Sequence, residues 1–326
     1  MRKSTTATII FILMMPFIVP SFFWNCQPDT FHVPPTNIIH NRKNGVYYWR
    51  TVFNLSDSER DFMKRQRVER MYLRMFDVTV GAYMPVPNAS LSFATSVPHG
   101  IEVVPTVFIT VEALRQAADS LMIDILAERI VRRVSAMCSW NGIDEWREIQ
   151  LDCDWTKSTQ IAFYKLCKEV KRRVGKRLVS STIRLHQLTF DAPPVDYGVL
   201  MVYNTDRFND IKTRNSIINP NTVRTYLKKK LYTKIPLDIA LPIFQWDIVF
   251  RDGTFARISK SHGGDLTRGD TVRHEQVDIR DIVYTQKLLY QYLNLERKGY
   301  STILYHLDSV NIKTYSYEDI KSVYNN

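Results

Sequence analysis

The sequence predicts an α/β fold, a (β/α)8 TIM barrel over residues 45–326 with a small β-hairpin insertion after strand seven. Three observations predict it. From Gly45 onward, β-branched and aromatic runs alternate with amphipathic helical stretches, as in a parallel sheet flanked by helices. The strand-like runs number eight, which is the barrel count. The chain of 326 residues, 45% hydrophobic and 24% charged, has the size and composition of one such domain behind a leader.

The elements follow in order. Gly45 to Phe53 is aromatic and β-branched, a first strand. Ser56 is an N-cap residue with Glu59 three positions on, the capping-box pattern, so a helix is expected to about Arg67. Arg70 to Val78 and Val103 to Thr110 are the second and third strands. Glu112 to Met137 has helical periodicity, with Leu114, Ala118, Leu121, Ile125 and Ile130 on the apolar side. Trp146 to Trp155 is a fourth strand, Thr159 to Val174 a helix, and Leu178 to Leu188 a fifth strand. Tyr197 to Tyr203 is the sixth, followed by a helix from Pro220 to Tyr232. Leu237 to Trp246 is the seventh, and Asp247 to Ile258 reads as a hairpin turning at Arg251-Asp252-Gly253. Ile279 to Leu295 is helical, Thr302 to Asp308 is the eighth strand, and Tyr317 to Tyr324 closes the chain as a helix.

The N-terminus is of another kind. Arg2 and Lys3 begin a short basic region, and Ile9 to Trp24 is almost wholly apolar but broken by Pro16 and Pro20. A spanning helix needs about 20 unbroken apolar residues, so residues 1–25 read as a signal peptide. Cys26 follows at once. This layout resembles bacterial lipoproteins, whose first mature residue is a lipid-modified cysteine, although Trp24 and Asn25 stand where those carry small residues. The resemblance implies export, lipidation of Cys26 and a membrane-anchored place in the cell envelope. Ordinary cleavage and an uncleaved anchor are the alternatives. Residues 26–44, with Pro28, Pro34 and Pro35, read as a tether.

A formal charge of +11 raises the question of nucleic acid. The basic residues are not gathered into one patch, however. The densest runs, Lys168 to Arg177 and Lys228 to Lys230, sit on or at the ends of amphipathic helices, where a charged outer face is expected. No nucleic-acid partner is expected. Beyond Cys26, the cysteines Cys138, Cys153 and Cys167 have no zinc-site spacing and read as small buried apolar residues.

Side chains alternate along a strand, so parity sorts them into faces. On strand four, Gln150, Asp152 and Asp154 share the face opposite Ile149, Leu151 and Cys153. The apolar set should meet the helices and the acidic set should point into the barrel. On strand five, Ser180, Thr182, Arg184 and His186 share a face beside that acidic row. Barrel lumens are usually filled by Val, Ile and Leu, and barrel sites lie at the C-terminal strand ends. Other strands also end in polar or aromatic groups: Trp49 and Arg50 in the first, Arg74 and Asp77 in the second, Tyr203 and Asn204 in the sixth, Gln245 and Trp246 in the seventh, His306 and Asp308 in the eighth. Rings beside carboxylates and amides suit a sugar, whose C–H faces stack while its hydroxyls need fixed partners. A satisfied internal salt-bridge network would use the same residues. Asp152, Asp154 and His186 have metal-ligand chemistry, but a hydrogen-bonded lumen offers the same set, and neither metal nor cofactor is expected.

These strand ends resemble a family. Leu151-Asp152-Cys153-Asp154-Trp155-Thr156 resembles the strand-four signature Asp-x-Asp-x-Asp-Trp-Glu of family 18 glycoside hydrolases, the chitinases. Asp152, Asp154 and Trp155 match its last two aspartates and its tryptophan. Gln150 stands at the first aspartate, and Thr156 at the glutamate that protonates the leaving group. Met201-Val202-Tyr203-Asn204 is similar to the family's Met-x-Tyr-Asp, Ala240 to Phe244 to its Gly-Leu-Pro-x-Tyr, and Leu304 to Asp308 to its Met-x-Trp-x-Asp. The chain also resembles bacterial lipoproteins that share this kind of barrel. The resemblance implies an oligosaccharide or polysaccharide partner at the barrel mouth.

Catalysis is a separate matter. Most glycosidases place two carboxyl groups about 5–9.5 Å apart on opposite sides of the scissile bond. Asp152 and Asp154 lie ~6.6 Å apart by strand rise but project from one side. A second carboxylate would have to come from Asp77, Asp308 or Asp206. Thr156 cannot act as the acid, since a hydroxyl keeps its proton near neutral pH. Asp154 is the first candidate for a displaced acid. Three readings stand at this point: a glycan-processing enzyme with a rearranged acid, a tethered non-catalytic glycan binder, and a scaffold with a structural polar lumen.

Overall fold

The structure, a computed structural model, describes residues 42–232, 234–259, 266–295 and 300–325. The leader and Cys26 lie outside the described residues. Eight parallel strands form the central sheet, with the short antiparallel strand Val86–Asn88 added at its edge: β1 (Asn44–Tyr48), β2 (Val68–Thr79), β3 (Glu102–Ile109), β4 (Glu148–Asp152), β5 (Leu178–Arg184), β6 (Tyr197–Met201), β7 (Leu237–Pro242) and β8 (Thr302–Tyr305). Each pairs in parallel with the next, and β1 pairs with both β2 and β8, so the sheet closes into a barrel. The fold is the (β/α)8 barrel that the strand count predicts.

Helices follow most strands. After β1 comes α1 (Asp57–Arg65), after β3 α2 (Val111–Gln116) and α3 (Ser120–Trp140), and after β4 α4 (Gln160–Val174). After β6 comes α5 (Pro220–Leu227), before β8 α6 (Ile279–Leu293), and after β8 α7 (Ser309–Ile312) and α8 (Tyr317–Asn325). The predicted capping box is present on α1: Ser56 Oγ accepts from Glu59 N at 3.3 Å, and Glu59 Oε2 accepts from Ser56 N at 2.9 Å. Among the described residues no α-helix follows β2 or β5. Prolines explain both gaps, since Pro85 and Pro87 fall in the first connection and Pro193 and Pro194 in the second.

Several boundaries differ from the sequence reading. The stretch Glu112 to Met137 is two helices, because Asp119 caps a fresh start by accepting from Met122 N at 2.7 Å. Strand five stops at Arg184. The Gln187 side chain accepts from Arg184 N at 2.8 Å and donates to the Trp155 carbonyl at 2.9 Å, which turns the chain into a 3-10 helix over Leu185–Thr189. His186 therefore leaves the strand and is exposed, so it does not share a lumen face with Arg184. Strand seven stops at Pro242, and Gln245 and Trp246 belong to the insertion. That insertion is larger than a hairpin. Gln245–Arg251 is the middle of three antiparallel strands, between Thr254–Ser259 and Asp270–Gln276. The Asp252-Gly253 turn has φ of 49° and 75°, the double left-handed geometry that Asp-Gly hairpins favour. The third strand escaped the sequence reading because Asp270–Gln276 is polar and mostly exposed. Strand eight stops at Tyr305, and Asp308 caps α7.

Parity holds on strand four. Ile149, Leu151 and Cys153 join the apolar core, and Cys138 and Cys167 are buried with them. Gln150 points inward, accepting from Tyr47 Oη at 2.8 Å and from Thr106 Oγ1 at 3.4 Å. The long strand β2 carries a bulge: Arg74 pairs with Thr106 and Phe76 with Val107, which leaves Met75 as the extra residue. Past the bulge, Asp77 returns to the side of Arg74.

The N-terminal end of the lumen is built from buried charge. Arg70 lies 3.2 Å from Glu102, 3.4 Å from Tyr197 Oη and 3.9 Å from Asp238. Glu148 accepts from Ser180 Oγ and Tyr197 Oη, each at 2.5 Å. Burial pushes the Glu148 carboxyl up to about 7, against the pull of Arg70. It pushes Asp238 up to about 6, against the Ser301 amide that donates to it at 2.7 Å and against Arg70. Both folded values lie above those of a solvated carboxyl. The stability these groups contribute is thus present below the ordinary carboxylate range and lost as pH rises through about 6 to 7. Glu148→Gln retains an acceptor for Tyr197 and Ser180 but cannot ionise. Its stability relative to the native protein should therefore improve by on the order of 2 kcal/mol between pH 5 and pH 8, measured by urea unfolding at each pH.

Candidate functional site

The parallel strands deliver their C-terminal ends to one rim, and the mouth there is where a barrel holds its chemistry. β4 ends at Asp152, which is 2% exposed. Its Oδ1 accepts from Thr182 Oγ1 at 2.6 Å and lies 3.4 Å from Arg184 Nη2. Burial holds the Asp152 carboxyl above its ordinary value, Arg184 opposes this, and the charge on Asp154 adds to it. Arg184, the last residue of β5, also donates through Nε to Asp154, whose side chain is 54% exposed. Its guanidinium lies 5.6 Å from the Tyr203 ring centre. One arginine thus bridges a buried and an exposed aspartate while stacking on a ring.

Beside this bridge opens a cleft of about 320 Å³, lined among others by Asp154, Arg184, His186, Tyr203, Asn204 and Tyr226. Asp154 is the one carboxylate among its lining residues. Asn204 adopts a left-handed backbone with φ 53°, which asparagine tolerates better than most residues. Among the described residues no three of His, Cys, Asp or Glu converge as a metal ion would require.

An aromatic band crosses the mouth. Trp49 packs 5.7 Å from Tyr305, and Tyr305 stacks on Tyr203 at 4.5 Å with a 27° interplanar angle. Tyr203 meets Phe244 edge-on at 5.9 Å, and Phe244 meets Trp246 at 5.2 Å. The band therefore runs from the end of β1 across β8, β6 and β7 to the insertion. Trp49 and Trp246 are half-buried, whereas Trp155 is buried against Phe163 and belongs to the core. Arg74 lies 5.4 Å from the Trp49 ring and grips Asp77 with both Nε, at 2.7 Å, and Nη2. Gln245 is half-buried at the start of the insertion, paired in register with Gln276.

The three aspartates suggested as a second carboxylate have other tasks. Asp77 is held by Arg74. Asp308 caps α7 through Val310 N at 2.8 Å. Asp206 accepts from Asn219 Nδ2 and Thr222 Oγ1, each at 2.7 Å, at the start of α5. None of them lines the cleft. Thr156 is exposed, with its hydroxyl 2.9 Å from Ser158 Oγ.

The structure thus brings Asp152, Asp154, Arg184, Tyr203 and Asn204 together, with His186 on the cleft wall through its turn rather than its strand. Trp49, Arg74 and Asp77 form a second cluster that reaches the first through Tyr305. Tyr305 and Tyr47 were missed by the sequence reading, as was Glu275, which accepts from Trp246 Nε1 at 2.8 Å. Glu148 shares parity with Gln150 and Asp152, so alternation on strand four already held the signal for it.

No family model and no curated protein matches the chain. Solved structures do. The spore cortex-lytic enzyme SleL of Bacillus cereus superposes with a TM-score of 0.52 at 13% identity, covering 87% of this chain and 74% of its own. The chitinase of Chromobacterium violaceum gives 0.51 at 10% identity, over 86% of this chain and 98% of its own. The GH18 chitinase of Cycas revoluta in complex with (GlcNAc)3 gives 0.50 at 12% identity, over 87% of this chain and all, 100%, of its own. At such identities the likeness is one of fold: the chain shares the (β/α)8 barrel of these enzymes.

The bridge makes an asymmetric prediction about stability. Arg184→Ala strands the buried Asp152 and should cost about 3 kcal/mol, whereas Asp154→Asn removes a half-exposed partner and should cost less than about 1 kcal/mol. Urea unfolding at pH 7 measures both.

Proposed function

We propose that the chain binds an oligosaccharide at the mouth of its barrel and does not cleave it by the chitinase route. One observation carries this reading: the single carboxylate lining the cleft, Asp154, is engaged by Arg184, and Thr156 occupies the position that the family fills with its acid. The parts that bind sugars are nevertheless present. The half-buried Trp49 and Trp246 lie along an aromatic band, as suits rings that stack on sugar faces. Arg184, Asn204, His186 and Tyr203 offer donors and acceptors beside it. Arg74 and Asp77 stiffen the Trp49 end. The Cycas revoluta chitinase carries (GlcNAc)3 in a barrel of this fold, which makes that oligomer the natural first probe. The basic and apolar leader followed by Cys26 supports the same protein being exported and tethered at the cell envelope.

A second reading has its own observation. Burial favours the protonated form of Asp152, which sits at the end of β4 within 3.4 Å of Arg184, so if the site hydrolyses a glycan, Asp152 is a candidate proton donor.

Calorimetric titration with (GlcNAc)3 and (GlcNAc)4, alongside product analysis after long incubation, separates the two. The binding reading expects saturable heat, no shortened products, and binding retained in Asp154→Asn. Turnover that disappears in Asp152→Asn would establish an enzyme with a displaced acid. An absence of both binding and turnover across a wider panel of oligosaccharides would favour a scaffold.

A further inference from the structure

The insertion is joined to the barrel mouth through one buried anion. Glu275, in the third insertion strand, is 1% exposed. Its Oε2 accepts from Ser216 N at 2.9 Å, Ser216 Oγ at 2.6 Å and Trp246 Nε1 at 2.8 Å, and its Oε1 accepts from Arg273 Nε at 2.7 Å. Four donors come close to filling a carboxylate's capacity of about four lone-pair sites. Arg273 spends its remaining nitrogens on the carbonyls of Phe208 at 2.8 Å and Asp210 at 2.7 Å, and lies over the Phe250 ring. Asn215 Nδ2 adds a bond to the Gln276 carbonyl at 2.9 Å. Three segments far apart in sequence are thereby clasped: the loop after β6, the first insertion strand and the third.

What the clasp holds matters more than that it holds. Trp246 is where the aromatic band meets the insertion, and its indole N–H is turned inward to Glu275. The ring sits between Phe244 at 5.2 Å and Phe208 at 6.3 Å. Phe208 lies in the same loop that Arg273 and Glu275 fix. A buried carboxylate is costly unless fully bonded, so a neutral apolar contact would serve plain stability as well. A carboxylate does something that contact cannot: it sets the angle of the indole through a directional, charge-assisted bond.

We propose that Glu275 is a positioning residue for glycan recognition, orienting Trp246 as an aromatic wall that stacks a sugar ring beyond those seated at Arg184 and Tyr203. This rests on the oligosaccharide-binding reading above. Oligomers long enough to reach the insertion should depend on Glu275, and short ones held only at the cleft should not.

The test has two arms. In the ligand-free protein, the Trp246 indole resonance in a 1H–15N spectrum, assigned by Trp246→Phe, should move upfield in Glu275→Ala as the bond to the carboxylate is lost. In calorimetry, (GlcNAc)4 should bind Glu275→Ala about tenfold more weakly, while (GlcNAc)2 changes by less than about twofold. Should Glu275→Ala fail to fold, Trp246→Phe keeps an aromatic ring while removing the inward N–H together with the pyrrole half of the indole, and it should show the same selective loss for the tetramer. An unmoved indole resonance, or equal losses for both oligomers, would overturn the proposal. If no oligosaccharide binds the native protein, the functional reading has failed, and the indole resonance still decides whether Glu275 orients Trp246.

Discussion

Charge placed inside a closed barrel is costly unless it is matched inside it. Most of this molecule follows from meeting that condition. Barrel lumens of this class are ordinarily filled by branched apolar side chains. Here Arg70, Glu148, Gln150, Asp152, Thr182 and Arg184 point inward with Tyr47, Tyr72 and Tyr197 between them. Tyrosine suits such a core, since its ring supplies packing area while its hydroxyl joins the polar network. Tyr47 and Tyr72 stack at 4.9 Å, and their hydroxyls reach Gln150 and Tyr197. One hydrogen-bonded set runs from Arg70 through Tyr197, Glu148, Ser180 and Gln150 to Tyr47, and a second at the mouth joins Thr182, Asp152, Arg184 and Asp154.

Much of this was legible in the sequence, and the rest was hidden for identifiable reasons. Strand identity and strand count survive because β-branched runs between helices are a strong signal. The α1 start survives because a capping box is local chemistry between Ser56 and Glu59. Asp152 and Arg184 were found by alternation. His186 was misplaced because Gln187 bonds to Trp155, a residue 32 positions earlier, and strand periodicity knows nothing of such contacts. Gln245 and Trp246 were given to the seventh barrel strand because the apolar run does not stop where the chain leaves the barrel. Glu275 was invisible for a different reason. Its strand is largely exposed and polar, and only the fold brings Ser216 and Trp246 to it.

The site itself is composite. β4 and β5 contribute the aspartate–arginine bridge, β1, β6 and β8 the aromatic floor, and the insertion a wall. Arg184 joins Asp152 and Asp154 to each other at the ends of β4 and β5. Thr156 hydrogen-bonds locally with Ser158. Under the binding reading proposed above, the aspartate–arginine bridge is a fixed electrostatic surface beside directional polar groups.

The bulge at Met75 has a consequence of a different order. It acts as a reading-frame shift within β2, since every side chain beyond it faces the way its neighbour would have faced without it. Deleting Met75 would remove the bulge and leave Asp77 two positions after Arg74, still on its side, whereas a regular strand of the same length would turn Asp77 to the outer surface, away from the arginine it serves. Inserting one further residue between Arg74 and Asp77 would turn Asp77 outward in the same way. Length along this strand is therefore under tighter control than composition, and a chain that exchanged several of its side chains would keep the mouth more faithfully than one that gained a single residue there.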